Sequence, residues 1–202
     1  MKTKLFLFVP LLFATLVGYA QPTTSFGPKI GVNLTSYKPK ADSHDLLTGL
    51  NLGLFLNHSI NAHFGIMGEV NYTQMGSQVE YKGNIERLHY IQVPISAVYY
   101  FGEMGDSFRP KLFAGPYVGF LVGANTKSGT KLVNNVGDPV KEAVDFGGQV
   151  GLGFNYRIKN ETWLNVDARY MHGFTDITKE ASTNFQNMGF GLNVGVSFPL
   201  SK

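Results

Sequence analysis

The sequence contains no cysteine among its 202 residues. A disulfide framework and a lipid-modified N-terminal cysteine are therefore both excluded. Charge is also scarce, because Asp, Glu, Lys and Arg make up 15% of the chain, against roughly 25% in an ordinary soluble domain. The Lys and Arg residues are scattered rather than clustered, so no nucleic-acid partner is expected. This composition favours a protein whose outer surface does not face water.

Long apolar runs are missing as well, except in the first 20 residues. Two lysines precede an apolar run over 5–17, and Gly18 and Ala20 are the small residues that a signal peptidase reads. A transmembrane anchor is the alternative, but the run is shorter than the roughly 20 residues that span a bilayer. We predict a signal peptide at 1–20, cleaved after Ala20, followed by one outer-membrane β-barrel domain at 21–202.

The exported part shows alternation with a period of two, which is the pattern of β-strands. Because no later apolar run is long enough for a membrane-spanning helix, only a closed barrel can satisfy every backbone group in lipid. The sequence predicts an all-β fold, an eight-stranded antiparallel up-and-down transmembrane β-barrel. The predicted strands are 29–35, 49–57, 64–73, 91–101, 111–123, 145–156, 164–170 and 188–198.

The connections between these strands alternate in predicted length. The long ones are 36–48, 76–90, 124–143 and 174–187, and the short ones are 58–63, 102–110 and 159–163. Outer-membrane barrels have short periplasmic turns and longer extracellular loops. We therefore predict long extracellular loops and place both termini on the periplasmic side.

A soluble lipocalin-like barrel also alternates, so the composition of the polar face has to separate the two environments. A water-facing surface would be rich in Lys and Glu, whereas this face is mostly Gly, Asn, Gln and Ser, which fits a narrow lumen. Aromatic residues near the strand ends are predicted to form the two interfacial girdles. They are Phe64, Tyr72, Tyr99, Phe101, Tyr156, Tyr170 and Phe198.

Four stretches resemble a known family. They are YIQVPISAVYYF at 90–101, FAGPYVGFLVGA at 113–124, VDFGGQVGLGF at 144–154 and LNVDARYMHGFTDI at 164–177. Together they resemble the PorT-like family of small outer-membrane β-barrel proteins common in Bacteroidetes, with an eight-stranded barrel of the OmpX or OmpA kind. The resemblance covers 26–198. It implies a fold and a location in the bacterial outer membrane, and it carries over no catalytic or binding residue.

The strand alternation directs four charged side chains into the lumen: Glu69, Asp145, Asp167 and Arg169. A buried charge without a partner is costly, so we expect Arg169 to pair with at least one of the three carboxylates. A structural network is the favoured interpretation, and a proton or ion path is the alternative. Lys111 is expected near the periplasmic rim, in contact with solvent.

The five histidines show neither metal-ligand spacing nor the Ser and His arrangement that a lipid-modifying enzyme would need. We therefore expect no catalysis, no metal and no cofactor. The favoured function is a structural or interaction role with a side-chain-filled lumen, exerted through long extracellular loops. A small pore or transporter is the first alternative, and a lipid-modifying outer-membrane enzyme is the second. The expected partners are outer-membrane lipid and an envelope or surface protein.

Overall fold

The computed structural model describes residues 24–38, 44–79, 84–126, 129–130, 141–179 and 184–200. The predicted signal peptide and its cleavage site lie outside the described residues. No helix in the described part of the chain is long and apolar enough to cross a membrane.

Eight strands form one closed sheet in which each strand pairs with its neighbour in sequence and β8 pairs with β1. All pairs are antiparallel, which confirms the predicted all-β, eight-stranded up-and-down barrel. The strands are β1 (Thr24–Lys38), β2 (His44–Ser59), β3 (Phe64–Val79), β4 (Asn84–Tyr100), β5 (Phe108–Thr126), β6 (Val144–Lys159), β7 (Thr162–Gly173) and β8 (Gln186–Pro199).

The alternation in the sequence corresponds to an outer and an inner face. In β8, Leu192 is 61% exposed and Val194 is 47% exposed, whereas Asn193 between them is 1% exposed. Apolar side chains thus point outward and polar ones inward, the reverse of a soluble barrel. The composition argument against a lipocalin-like surface is consistent with this arrangement.

The two ends of the barrel differ in their connections. At the turn end lie the connections 60–63, 101–107 and 160–161, together with the first residue of β1 and the last of β8. At the loop end, the connections after β5 and β7 cover 127–143 and 174–185. This arrangement is that of outer-membrane barrels, in which the short turns are periplasmic.

Two of the four predicted long loops are wrong. The ranges 36–48 and 76–90 are largely strand, since β1 ends at Lys38, β2 begins at His44, β3 ends at Val79 and β4 begins at Asn84. The physical reason is that the outward face turns polar near the loop end, so the apolar alternation disappears while the backbone ladder continues. The strands of 15 to 19 residues in β1 to β5 exceed the roughly 9–11 residues that cross a membrane.

Aromatic side chains border the apolar outer surface at both ends. At the turn end, the outward ones are Phe64, Tyr99, Phe101, Tyr156 and Phe198. Towards the loop end, Tyr170 packs against Phe190 with ring centroids 5.0 Å apart. Tyr156 and Phe146 are ten residues apart on β6, which at a rise of about 3.3 Å and a tilt of about 40° separates them by about 25 Å. That distance equals the apolar band of an outer-membrane barrel.

Inward glycines make room for the aromatic rings that fill the lumen. Gly147 pairs with Tyr117, and Gly151 pairs with Phe113. A Cβ atom at either glycine would overlap the ring of its partner. The two aromatic residues are consequently 1% and 2% exposed, so the lumen is packed like a protein core rather than open.

Candidate functional site

The centre of the lumen holds four charged side chains in one network. Glu69 on β3 accepts a hydrogen bond from Lys29 Nζ at 2.8 Å. It accepts two more from Nη1 and Nη2 of Arg169, at 2.7 and 3.0 Å. Asp167 accepts from Nε and Nη2 of Arg169 at 2.9 and 2.7 Å. The Arg169 guanidinium therefore binds two carboxylates at once, using the donor geometry that suits bidentate pairing. We call these four residues the central network.

Neutral side chains complete the hydrogen bonding around the central network. Gln149 accepts from Arg169 Nη1 at 3.1 Å, and Asn71 donates to Glu69 at 2.9 Å. Asn193 donates to Asp167 at 3.1 Å. These bonds tie β3, β6, β7 and β8 together across the lumen. Since Glu69 is 4% exposed and Arg169 is 3% exposed, their ionic groups depend on these contacts rather than on water.

Asp145, which the sequence suggested as a fourth charge of the same group, lies nearer the loop end. Its carboxylate accepts from Asn187 at 2.9 Å, Thr175 at 3.2 Å and Tyr117 at 3.3 Å. It forms no ion pair with any residue that the structure describes. Of the three candidate partners, Glu69 and Asp167 contact Arg169, and Asp145 does not.

Two lysines of the lumen were missed or misplaced by the sequence analysis. Lys29 belongs to the central network. Lys29 lies four residues before the inward Asn33 on β1, so the alternation alone could have placed its side chain in the lumen. Lys111 is 2% exposed, so its expected contact with solvent is wrong. Its amine is not within ion-pair distance of a carboxylate in the described ranges. Lys111 shares the inward face of β5 with Phe113 and Tyr117.

Apolar clusters lie on both sides of the central network. The lower cluster, towards the turn end, consists of Met67, Val98, Tyr100 and Phe113. The upper cluster, towards the loop end, consists of Tyr37, Met75, Leu88, Tyr90 and Ile177. The Arg169 guanidinium lies 5.1 Å from the Phe113 ring centroid, so the lower cluster packs directly against the network.

The segment after β7 folds over the loop end. Ile177 is fully buried in the upper cluster, and Thr178 forms an isolated bridge with Lys141. Lys141 pairs with Glu86 at 2.9 Å, and the Tyr37 hydroxyl donates to the same carboxylate at 3.2 Å. This ion pair therefore fastens the covering segment to the barrel wall.

Two of the described histidines contact hydroxyl groups of neighbouring strands. His58 contacts the Thr24 hydroxyl at 2.7 Å, and His89 contacts the Tyr72 hydroxyl at 2.5 Å. Within the described ranges no serine hydroxyl is hydrogen-bonded to a histidine, and no group of three His, Asp or Glu residues could hold a metal ion.

A closed eight-stranded barrel with an apolar outer surface and a filled lumen defines a small transmembrane β-barrel. The family model described as "Outer membrane protein beta-barrel domain" matches residues 19–179, and the chain belongs to this family. Membership places the protein in the outer membrane of Gram-negative bacteria.

Two solved structures illustrate the similarity. The outer membrane protein OprG from Pseudomonas aeruginosa is 13% identical with a TM-score of 0.59, and the match covers 89% of this chain and 96% of that chain. Neisserial surface protein A is 17% identical with a TM-score of 0.53, covering 86% and 97%. At these identities the likeness shows the fold alone. No functionally curated protein matches the sequence.

Proposed function

We propose that this protein is a plugged outer-membrane barrel with a structural or interaction role, and that it neither conducts solutes nor catalyses a reaction. The observation that supports this most strongly is the order of layers in the lumen. The lower cluster, the central network and the upper cluster follow one another along the barrel axis. A solute would have to displace aromatic side chains and separate a buried bidentate ion pair.

The loop end is the surface proposed to bind a partner. Because β1 to β4 extend past the upper aromatic residues, this end is a wall of paired strands, and the segment that carries the buried Ile177 covers it. A rigid surface loses less conformational entropy on binding than flexible loops do. An envelope or surface protein is the proposed partner here, and outer-membrane lipid surrounds the apolar band.

Conductance separates the plugged barrel from a small pore. The purified protein in planar lipid bilayers is expected to show no steady channel, because the central network and both clusters block the axis. The matched variant is Phe113→Ala, which removes one ring of the lower cluster and none of the charged side chains of the central network. Reproducible channels from the unmodified protein would contradict the proposal and favour the pore.

We also propose that residues 1–20 are removed during export. The mass of the protein purified from outer membranes is expected to correspond to a chain that begins at Gln21. A mass that includes the first 20 residues would contradict this.

Within the family, the four stretches noted in the sequence support a PorT-like barrel as the proposed subgroup.

A further inference from the structure

A polar cavity of about 390 Å³ opens at the turn end of the barrel. Tyr100 of the lower cluster lines it, so this cluster forms part of the cavity wall. Its volume falls within the roughly 300–1,000 Å³ of small-molecule sites. We call it the turn-end cavity. It lies away from the central network and has no part in the proposed function.

Three residues that line the turn-end cavity each carry a buried polar atom without a hydrogen-bond partner. They are Nε of Arg109 and the Oδ1 atoms of Asn57 and Asn155, and each residue is less than one-tenth exposed. Buried polar atoms are nearly always paired, so an unpaired group requires an explanation. Here one donor and two acceptors are unpaired around the same cavity.

Two guanidinium groups give the turn-end cavity a positive character. Arg109 donates to the Ala62 carbonyl and lies 4.4 Å from the Tyr100 ring centroid. Arg157 donates to the Ser107 hydroxyl at 3.1 Å. Neither forms an ion pair with a carboxylate of the described residues, although Glu161 also lines the cavity. Guanidinium groups with free donors bind carboxylates in a fixed planar geometry.

An apolar wall completes the recognition surface. Trp163 lines the cavity, with the Arg157 guanidinium 5.5 Å from its ring centroid.

We propose that the turn-end cavity binds a sugar acid from the periplasm. Its carboxylate accepts hydrogen bonds from Arg109 and Arg157, and an apolar face of its ring packs on Trp163. Its hydroxyls donate to Asn57 and Asn155 once these amide side chains turn towards the cavity, since their oxygens have almost no accessible surface as they stand. An amino acid fits less well, because its ammonium group would lie among two guanidinium groups.

The test uses Trp163, which is the single tryptophan of the chain. Its fluorescence in the detergent-solubilised full protein is measured during titration with glucuronate, glucose, glutamate and inorganic phosphate. Glucuronate is expected to give a saturable change, and the other three are expected to need at least about tenfold higher concentrations. Equal binding of glucose, or no saturation with glucuronate, would overturn the proposal. Phosphate or glutamate binding as tightly as glucuronate would overturn the assignment to a sugar acid.

Two charge-neutralising variants provide the specific comparison. Arg157→Gln is expected to raise the half-saturating glucuronate concentration about tenfold, because a charge-assisted hydrogen-bond pair is lost. Lys159→Gln removes the same charge from an exposed residue at the same end that does not line the cavity, and binding should change less than twofold. Equal weakening in both variants would overturn the site. Asn155→Ala provides a second lining variant, with an expected loss of a few fold, should Arg157→Gln fail to fold.

Discussion

Replacing Glu69 with Gln is expected to lower the free energy of unfolding by about 3–5 kcal/mol, the usual cost of removing one partner from a buried ion pair. Glu69 pairs with Lys29 and accepts two of the four hydrogen bonds that Arg169 donates to carboxylates. Without Glu69, Asp167 is the only carboxylate among the described residues that still pairs with a cation of the central network. The measurement is the urea midpoint of the folded barrel in detergent, monitored by the heat-dependent shift in gel mobility.

Glu86→Gln is the matched control for this prediction. Glu86 also accepts from a lysine, at 2.9 Å, but its side chain is 29% exposed, and pairs near the surface are worth about 0–1 kcal/mol. Adding Lys29→Met to Glu69→Gln should recover part of the loss, because one buried cation without a partner is removed. Equal midpoint shifts for Glu69→Gln and Glu86→Gln would show that the lumen is wet and would favour a pore.

The position of Lys29 changes which residue of the network is most costly to remove. From the sequence, Arg169 was the single cation among three carboxylates, so its loss would have left several acids unpaired. In the structure, two cations of the central network, Lys29 and Arg169, pair with Glu69 and Asp167, and the buried Lys111 amine pairs with neither carboxylate. Removing Glu69 therefore leaves Lys29 without a carboxylate partner and Arg169 with one, whereas Arg169→Ala leaves the Lys29–Glu69 pair in place. We expect Glu69→Gln to be the more destabilising of the two changes.

The barrel was predictable because the lipid and the lumen impose opposite demands on successive residues. The alternation of Leu192, Asn193 and Val194 follows directly from that constraint, and it fixes which side chains point inward. The prediction became unreliable near the loop end, where the outward face turns polar and the inward face carries the apolar upper cluster. Strand pairing there continues to Lys38 and Val79, but no hydropathy pattern marks it.

The central network was predictable only in part, because alternation gives the face of a side chain but not its height along the axis. Glu69, Asp167 and Arg169 meet because the register places them at similar depth. Asp145 points inward as well, yet it is nearer the loop end and binds neutral groups instead. Depth depends on strand tilt and stagger, which only the closed barrel determines.

The apolar band predicts a second large effect on the outside of the barrel. Leu152 on β6 is 61% exposed and lies between Tyr156 and Phe146, near the middle of the band. Leu152→Arg is expected to make the free energy of folding into lipid less favourable by about 2–4 kcal/mol, because a guanidinium at the bilayer midplane loses its hydration. The measurement is a urea titration of the barrel refolded into lipid vesicles.

Ile60→Arg is the matched control for the lipid-facing prediction. Ile60 is also apolar and is 59% exposed, but it lies in the connection 60–63 at the turn end. Near the interface the cost of an arginine falls to about 0–1 kcal/mol. A large difference between the two variants is therefore expected in vesicles, and it should shrink in detergent micelles, whose surface is easily reached by a long side chain. If both variants unfold at the same urea concentration in vesicles, Leu152 does not face the hydrocarbon core, and the position of the band on β6 would have to be redrawn.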